Sequence, residues 1–223
     1  MLLTVPDLLT AHTLAEIRLA ADGLVWRDGA STAGASARAV KRNEQADLSS
    51  SLGRKLQTTL SDAVRAHPVV QSAARPRRYS SPILSRTGQG GGYGAHVDNA
   101  FMGAGKARVR TDVSYTVFLT DPDRYEGGEL VIDEAGRTET LKPPAGTLVL
   151  YPSTRLHAVR PVERGLRLAF VGWIESAVRD AAQREILFDL DNLRAEQPKG
   201  DASPAALVLA KTVANLTRMW GEP

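Results

Sequence analysis

The stretch GGGYGAHVDNAF (90–101) sets His96 and Asp98 two residues apart in a chain that has only four histidines. On a strand, residues i and i+2 point to the same side, so an imidazole and a carboxylate here can converge on one point. Alone, such a pair proves little and is read as a surface or turn feature. A second imidazole, His157 in STRLHAVRPV, opens a later β-type run. Antiparallel folding can lay that run beside the one carrying His96. Two imidazoles and one carboxylate cover one face of an octahedral ion and leave the opposite face open, the arrangement of non-haem Fe(II) sites. Ten residues on, Arg167 in GLRLAFVGW shares a strand face with Ala169, Val171 and Trp173. A guanidinium facing a small-residue interior requires an anionic partner, and its planar fork matches a carboxylate through two bonds. The competing accounts are a hydrogen-bonded strand-end histidine for His157 and a structural ion pair for Arg167.

Neighbouring residues extend the pattern. Ser114, in DVSYTVFL, shares a face with Asp112, Thr116 and Phe118 and offers a hydroxyl to a ligand site, or is an ordinary strand serine. Trp173 suits the wall of a metal pocket or the core. Tyr93 suits the pocket mouth or turn packing. Gly127-Gly128 fits turn geometry before a strand. Residues 99–112, NAFMGAGKARVRTD, read as a mobile flap with Lys106, Arg108 or Arg110 open to an anionic group, against the plainer account of a solvent loop.

These residues need a frame. Over residues 79–175 the runs SSPILS, GYGAHV, DVSYTVFL, GELVID, TETLK, GTLVLYP, HAVRPV and LRLAFVGWI succeed one another with Gly, Pro and Asp between them and no intervening helix. Eight such runs predict an antiparallel sandwich or barrel, such as a jelly roll. Before them, residues 6–22 and 47–66 have helical spacing, with Gly23 and His67-Pro68 as stops, and 29–39 reads as a flexible loop. After them, Val178, Ala182, Ile186, Leu190 and Leu193 suggest one apolar helical face, and Ser203-Pro204 caps a last helix to Trp220. Leu207, Leu209, Val213, Leu216 and Trp220 on that helix suit either a barrel cap or a homodimer contact. The division expected is a helical segment over 1–78 packing on the core, the jelly roll over 79–175 and a helical extension over 176–223.

Composition narrows the functions open to the chain. At 223 residues, one substantial core is the expectation. No apolar run approaches the ~20 residues of a membrane span, and the N-terminus lacks the pattern of a secretory signal, so a cytoplasmic location is expected. With no cysteine, thiolate catalysis and Cys-ligated zinc or iron–sulfur sites are excluded. His and carboxylates are the strong metal ligands left. The net charge of +3 comes from 28 basic residues dispersed among 25 acidic ones, which argues against a nucleic-acid partner. RPRR (75–78) and KARVR (106–110) are local exceptions that suit an anionic small molecule or plain solvation.

The order HVD, YEGGELVI (125–132), LYPSTRLHAVRPV (150–162) and Arg167 resembles the Fe(II)- and 2-oxoglutarate-dependent dioxygenases related to prolyl 4-hydroxylase. The whole chain is similar to bacterial PKHD-type hydroxylases, including the segments TAG, VKRNEQ and SAVRDAAQREILFDLD. The resemblance implies an α+β fold with a double-stranded β-helix (jelly-roll, cupin-like) core between N- and C-terminal helices. It implies that His96, Asp98 and His157 bind Fe(II) and that Arg167 binds the distal carboxylate of 2-oxoglutarate; the Ser114 hydroxyl is a candidate addition to that cosubstrate site, read from its strand face alone. O2 is the further cosubstrate, succinate and CO2 are the products, and ascorbate is a candidate reductant for oxidised iron. With a carboxylate at Asp98, hydroxylation is expected rather than halogenation. The substrate class stays open between a small metabolite, a siderophore-related molecule and peptidyl proline. A metal-dependent hydrolase or isomerase, or a non-catalytic metal and ketoacid sensor, remains the alternative on the same fold.

Overall fold

The computed structural model describes residues 1–32 and 38–222. Its centre is a pair of facing antiparallel sheets. The major sheet has eight strands, in the order Leu3–Val5, Leu148–Pro152, Val113–Phe118, Arg167–Ser176, Ile83–Thr87, Glu44–Ala46 and Trp26–Asp28, with Pro76–Tyr79 also paired to Arg167–Ser176. The minor sheet has five, in the order Arg137–Leu141, Leu130–Glu134, His157–Val159, Gly92–His96 and Lys41–Arg42. Together they form the jelly-roll core, and all eight expected runs of the β region are strands.

The ten-residue strand Arg167–Ser176 organises the molecule. Its alternation sends Leu168, Phe170 and Ile174 outward into an apolar layer with Leu56, Leu60 and Val64 of the helix Ser51–Ala66 and Ile17 of the helix Ala11–Asp22. The opposite face, with Arg167, Val171 and Trp173, lines a cavity between the sheets. One strand thus anchors the hydrophobic core and presents the chemistry, because its period is two. A second apolar cluster, Phe118, Leu130, Ile132, Val149 and Tyr151, joins the two sheets directly.

The helices start where local chemistry dictates. Thr10 caps the first by accepting from the Thr13 amide at 3.1 Å, and Ser50 caps Ser51–Ala66 by accepting from Gly53 at 3.0 Å. His67-Pro68 ends the helix Ser51–Ala66 as expected, and Pro68 also opens a further helix, Pro68–Ala74, in whose first turn its missing N–H is harmless. Asp180 and Ser203 cap Ala181–Ala195 and Pro204–Trp220 in the same way.

Three readings of the sequence need correction. The first 78 residues supply strands to both sheets as well as helices. Those strands are two to four residues long and too short to show alternation; pairing with longer strands creates them. On Ala181–Ala195, Ile186 and Leu193 are exposed, while Leu187 and Arg184 are buried. Asp191 ties to Ser72 and Arg75 beside the helix Pro68–Ala74, and this turns the 184/187/191 stripe inward. Leu207 is also exposed, whereas Leu209, Val213, Leu216 and Trp220 pack with Val178 and Leu187, so the two C-terminal helices bury apolar surface against each other. Of the loop expected over 29–39, Gly29–Thr32 is a 3-10 turn, and 33–37, including part of TAG, lie outside the described residues. No helix among the described residues is long and apolar enough to cross a membrane.

Candidate active site

The minor sheet brings the two distant histidines face to face. His96 ends the strand Gly92–His96, His157 begins His157–Val159, and the antiparallel register sets them directly opposite. Their ring centroids are 4.2 Å apart. Asp98 follows in the loop after His96, and its Oδ1 lies 3.8 Å from His157 Nε2. One ligand-type atom from each of the three residues falls within 4.8 Å of the others, a group that could hold one metal ion. The spacing read from the sequence is therefore realised in space.

Hydrogen bonds decide which atoms face that point. His96 Nδ1 is 2.8 Å from the Gly94 carbonyl and His157 Nδ1 is 3.0 Å from the Arg155 carbonyl. A carbonyl can only accept, so each Nδ1 carries the proton and each Nε2 presents a lone pair. Burial is the largest influence on His96, with the neighbouring His157 next, and together they lower its pKa to about 4. It is a neutral ligand near pH 7. Ser114 donates to Asp98 Oδ2 at 2.6 Å and pairs with Ser153 at 2.7 Å, leaving Oδ1 on the histidine side. Imidazoles held by Nδ1 with Nε2 turned to one point, and a carboxylate with one committed oxygen, fit a hard or borderline divalent cation such as Fe(II).

The cavity beside this cluster occupies ≈ 900 Å³, counting its open mouth. Arg167, 4% exposed, lies in its wall on the major sheet. Its Nε has no hydrogen-bond partner, and the nearby Tyr125 hydroxyl is likewise unpartnered. Burial draws the guanidinium below its ordinary pKa, with Tyr125 and Tyr151 partly offsetting. A buried cation with an unmet donor is suited to receive an anion, because leaving that donor unsatisfied is costly. No ion pair to Arg167 forms among the described residues, so the alternative of a structural ion pair has no support there.

Several neighbours sort out differently from expectation. Ser114 does not line the cavity; its hydroxyl is spent on Asp98, so it positions a candidate ligand instead of meeting a cosubstrate. Trp173 lines the cavity, and Tyr93 stacks on His96 with centroids 3.5 Å apart. Gly127 and Gly128 adopt φ of +69° and +67°, the turn role the sequence suggested. Residues 99–112 fold into a hairpin of Phe101–Met102 with Val109–Arg110. Arg110 is not open to a ligand: its guanidinium binds Asp112 at 2.9 Å, Glu222 at 3.2 Å and the Ser176 carbonyl at 3.0 Å. Arg108 stacks 4.1 Å over the Phe101 ring, and Lys106 is exposed. Reading the sequence missed Lys41, Asn43, Gln45, Thr87 and Tyr151 in the cavity wall. The period-two placement of 41, 43 and 45 was their only trace, hidden because the intervening residues are polar too.

Residues 82–175 match the model of the 2OG-Fe(II) oxygenase superfamily. The chain is 51% identical to a PKHD-type hydroxylase of Hyphomonas neptunium, across 99% of this chain and all of the relative. It is 44% identical to one of Synechococcus elongatus, across the whole of both. Among solved structures, a prolyl hydroxylase from Trichoplax adhaerens, in complex with a hypoxia inducible factor peptide fragment, superposes with a TM-score of 0.61 at 17% identity, covering 78% of this chain and 83% of that one. HygX from Streptomyces hygroscopicus, with nickel, 2-oxoglutarate and hygromycin B bound, gives 0.54 at 15% identity, covering 78% and 82%. These two likenesses speak to the fold alone. With the full-length identities, the protein is a 2-oxoglutarate- and Fe(II)-dependent dioxygenase, and the chain belongs to the PKHD-type hydroxylases of the 2OG-Fe(II) oxygenase superfamily.

Proposed function

We propose that His96, Asp98 and His157 hold the catalytic Fe(II), that Arg167 binds the distal carboxylate of 2-oxoglutarate, and that the enzyme hydroxylates a small molecule or peptide presented at the cavity mouth. The observation that carries this reading is the shared cavity: three ligand atoms within 4.8 Å on one wall and a buried, under-partnered guanidinium on the other. The bound iron supplies the oxidative decarboxylation of 2-oxoglutarate to succinate and CO2 that is coupled to C–H hydroxylation. The chain's own residues do the rest. The Gly94 and Arg155 carbonyls orient the imidazoles, Ser114 fixes the Asp98 carboxylate, and Arg167 orients the ketoacid chain. Tyr93, Trp173 and Val171 form an apolar lining that limits water around the reacting centre. A peptide substrate is supported by the bound peptide of the Trichoplax enzyme, and a small molecule by the hygromycin B of HygX.

The test is succinate formation. Purified protein with Fe(II), 2-oxoglutarate and O2 should release succinate in step with O2 consumption, and removal of any one of the three should stop it. Turnover of a substrate without O2 would assign a hydrolase or isomerase. Binding of iron and 2-oxoglutarate without any succinate would assign a sensor.

A further inference from the structure

The two basic runs of the sequence, RPRR (75–78) and KARVR (106–110), meet in the structure around one carboxylate. Glu175, 5% exposed near the end of the strand Arg167–Ser176, lies 3.5 Å from Arg77 Nη1 and 3.6 Å from Arg78 Nη1, and it accepts from the Arg110 amide at 3.0 Å. Arg78 also donates to the Lys106 and Arg108 carbonyls. The Arg110 guanidinium is shared by Asp112, Glu222 and the Ser176 carbonyl. These groups fasten the hairpin of Phe101–Met102 with Val109–Arg110 to the strands Pro76–Tyr79 and Arg167–Ser176.

The fastening continues to the proposed iron site. Residues 97–99 belong to no helix or strand, so Asp98 hangs between the strand ending at His96 and the hairpin opening at Phe101. Val97 is 52% exposed and gives this loop little apolar anchorage. Hydrogen bonds must place it. Thr111, buried directly after the hairpin, donates its hydroxyl to the Asn99 carbonyl at 2.6 Å and its amide to the Ala100 carbonyl at 3.1 Å. Asp112 in turn anchors Thr111. Its amide donates to the Ile174 carbonyl at 3.1 Å, and its carboxylate accepts from the Ser176 amide at 2.8 Å and from Arg110. The Asp112 carbonyl accepts from the Ser153 amide at 3.2 Å, and Ser153 pairs with Ser114, which holds the Asp98 carboxylate. The support on the Asp98 carboxylate and the support on the backbone beside it therefore both lead to Asp112.

We propose that Thr111 is a positioning residue for the Asp98 ligand: its hydroxyl fixes the backbone that carries the carboxylate, while Ser114 fixes the carboxylate itself. This rests on the reading of His96, Asp98 and His157 as the iron site. A carboxylate held through one oxygen alone can still retreat with its loop. A ligand binds a metal well only when the residues behind it lock its orientation before the ion arrives. Thr111 supplies that lock from outside the triad, and the Arg110, Asp112 and Glu175 network keeps Thr111 in place.

The test titrates Fe(II) anaerobically into metal-free wild-type protein, Thr111→Val and Thr111→Ser, after backbone hydrogen exchange over residues 97–102 has been recorded for each. Val keeps the branched shape and removes the hydroxyl. Thr111→Val should weaken Fe(II) binding about tenfold, the scale of losing one outer hydrogen bond at a metal site, and should speed exchange over 97–102. The 2-oxoglutarate requirement at saturating Fe(II) should stay as in the wild type, because Arg167 lies on the other wall. Thr111→Ser retains a hydroxyl and should restore both iron affinity and slow exchange. Wild-type iron affinity in Thr111→Val, with or without a lowered Tm, would overturn the proposal, as would unaltered exchange or a loss that Thr111→Ser does not recover. Thr111→Ala replaces Thr111→Val if that protein does not fold. A wild-type protein that takes up no Fe(II) would instead count against the triad itself, and this proposal would fall with it.

Discussion

The two sheets facing the cavity are built differently. In the major sheet every residue of Val113–Phe118 is buried, and Arg167–Ser176 runs ten residues through its centre with helices packed behind. The minor sheet is made of strands of five residues or fewer, and its edge strand Arg137–Leu141 has no buried residue. The proposed iron ligands His96 and His157 belong to the shorter-stranded minor sheet, and Arg167, the proposed anion receptor, to the more deeply buried major one. The difference shows where each kind of site needs support. A buried guanidinium must be desolvated to bind its anion tightly, so a deep, well-packed strand is its natural place. Metal ligands need correct orientation more than depth. The minor sheet obtains it from local hydrogen bonds at strand ends and from one brace thrown across by the major sheet, the Ser114–Asp98 bond.

The division of labour can be broken at its strongest point first. Replacing His96, Asp98 or His157 with Ala should abolish both Fe(II) retention and succinate formation, measured by metal analysis after gel filtration and by product assay. Oxidation surviving in Asp98→Ala would remove the triad. The next largest effect is expected from the other sheet. Truncating one partner of a buried charged pair costs roughly 2–5 kcal/mol, so Arg167→Ala should raise the 2-oxoglutarate requirement at least about 30-fold while iron is retained.

The brace between the sheets sharpens the comparison. Ser114→Ala should weaken Fe(II) binding about tenfold, the scale of losing one outer hydrogen bond to a metal ligand, with the 2-oxoglutarate requirement little changed. If the cosubstrate requirement rose and iron affinity held, Ser114 would belong to the other half of the site. A smaller effect concerns pH. An unfolded chain binds a proton at His96 as pH falls through about 6.5, whereas the folded imidazole resists until about 4. The contribution of His96 to folded-state stability is thus fully present above about 6.5 and is lost progressively as pH falls from there towards 4. Thermal melts of the metal-free protein should show Tm declining over this window, and His96→Gln should flatten the decline.

The same contrast explains what could be read from sequence. Long, half-buried strands such as Arg167–Ser176 announce themselves by alternation, and that alternation correctly separated Arg167, Val171 and Trp173 from Leu168 and Phe170. His96, Asp98 and His157 could be named because imidazole is scarce here and the β region has antiparallel order. The segment 41–45 was opaque: its inward and outward residues are all polar, and only the opposite strands give them sides. Arg110 misled for a related reason. Its partners Asp112, Glu222 and Ser176 converge only in the folded chain, so a bound guanidinium and an available one read alike. The inward stripe of Ala181–Ala195 was legible in part: Val178 and Leu190 pack inward as expected, while Ile186 and Leu193 are exposed because the ties of Asp191 to Arg75 and Ser72 outweigh the weak apolar pattern.

The central claim is that one cavity joins an iron site on the minor sheet to a ketoacid site on the major sheet. Its most direct test is an anaerobic titration with Fe(II) and then 2-oxoglutarate, followed by visible absorption, in wild type, His157→Ala and Arg167→Ala. The account predicts a charge-transfer band in the wild type, no band and no bound iron in His157→Ala, and retained iron in Arg167→Ala with a band appearing only at much higher 2-oxoglutarate. An undiminished band in Arg167→Ala, or iron retained in His157→Ala, would contradict it.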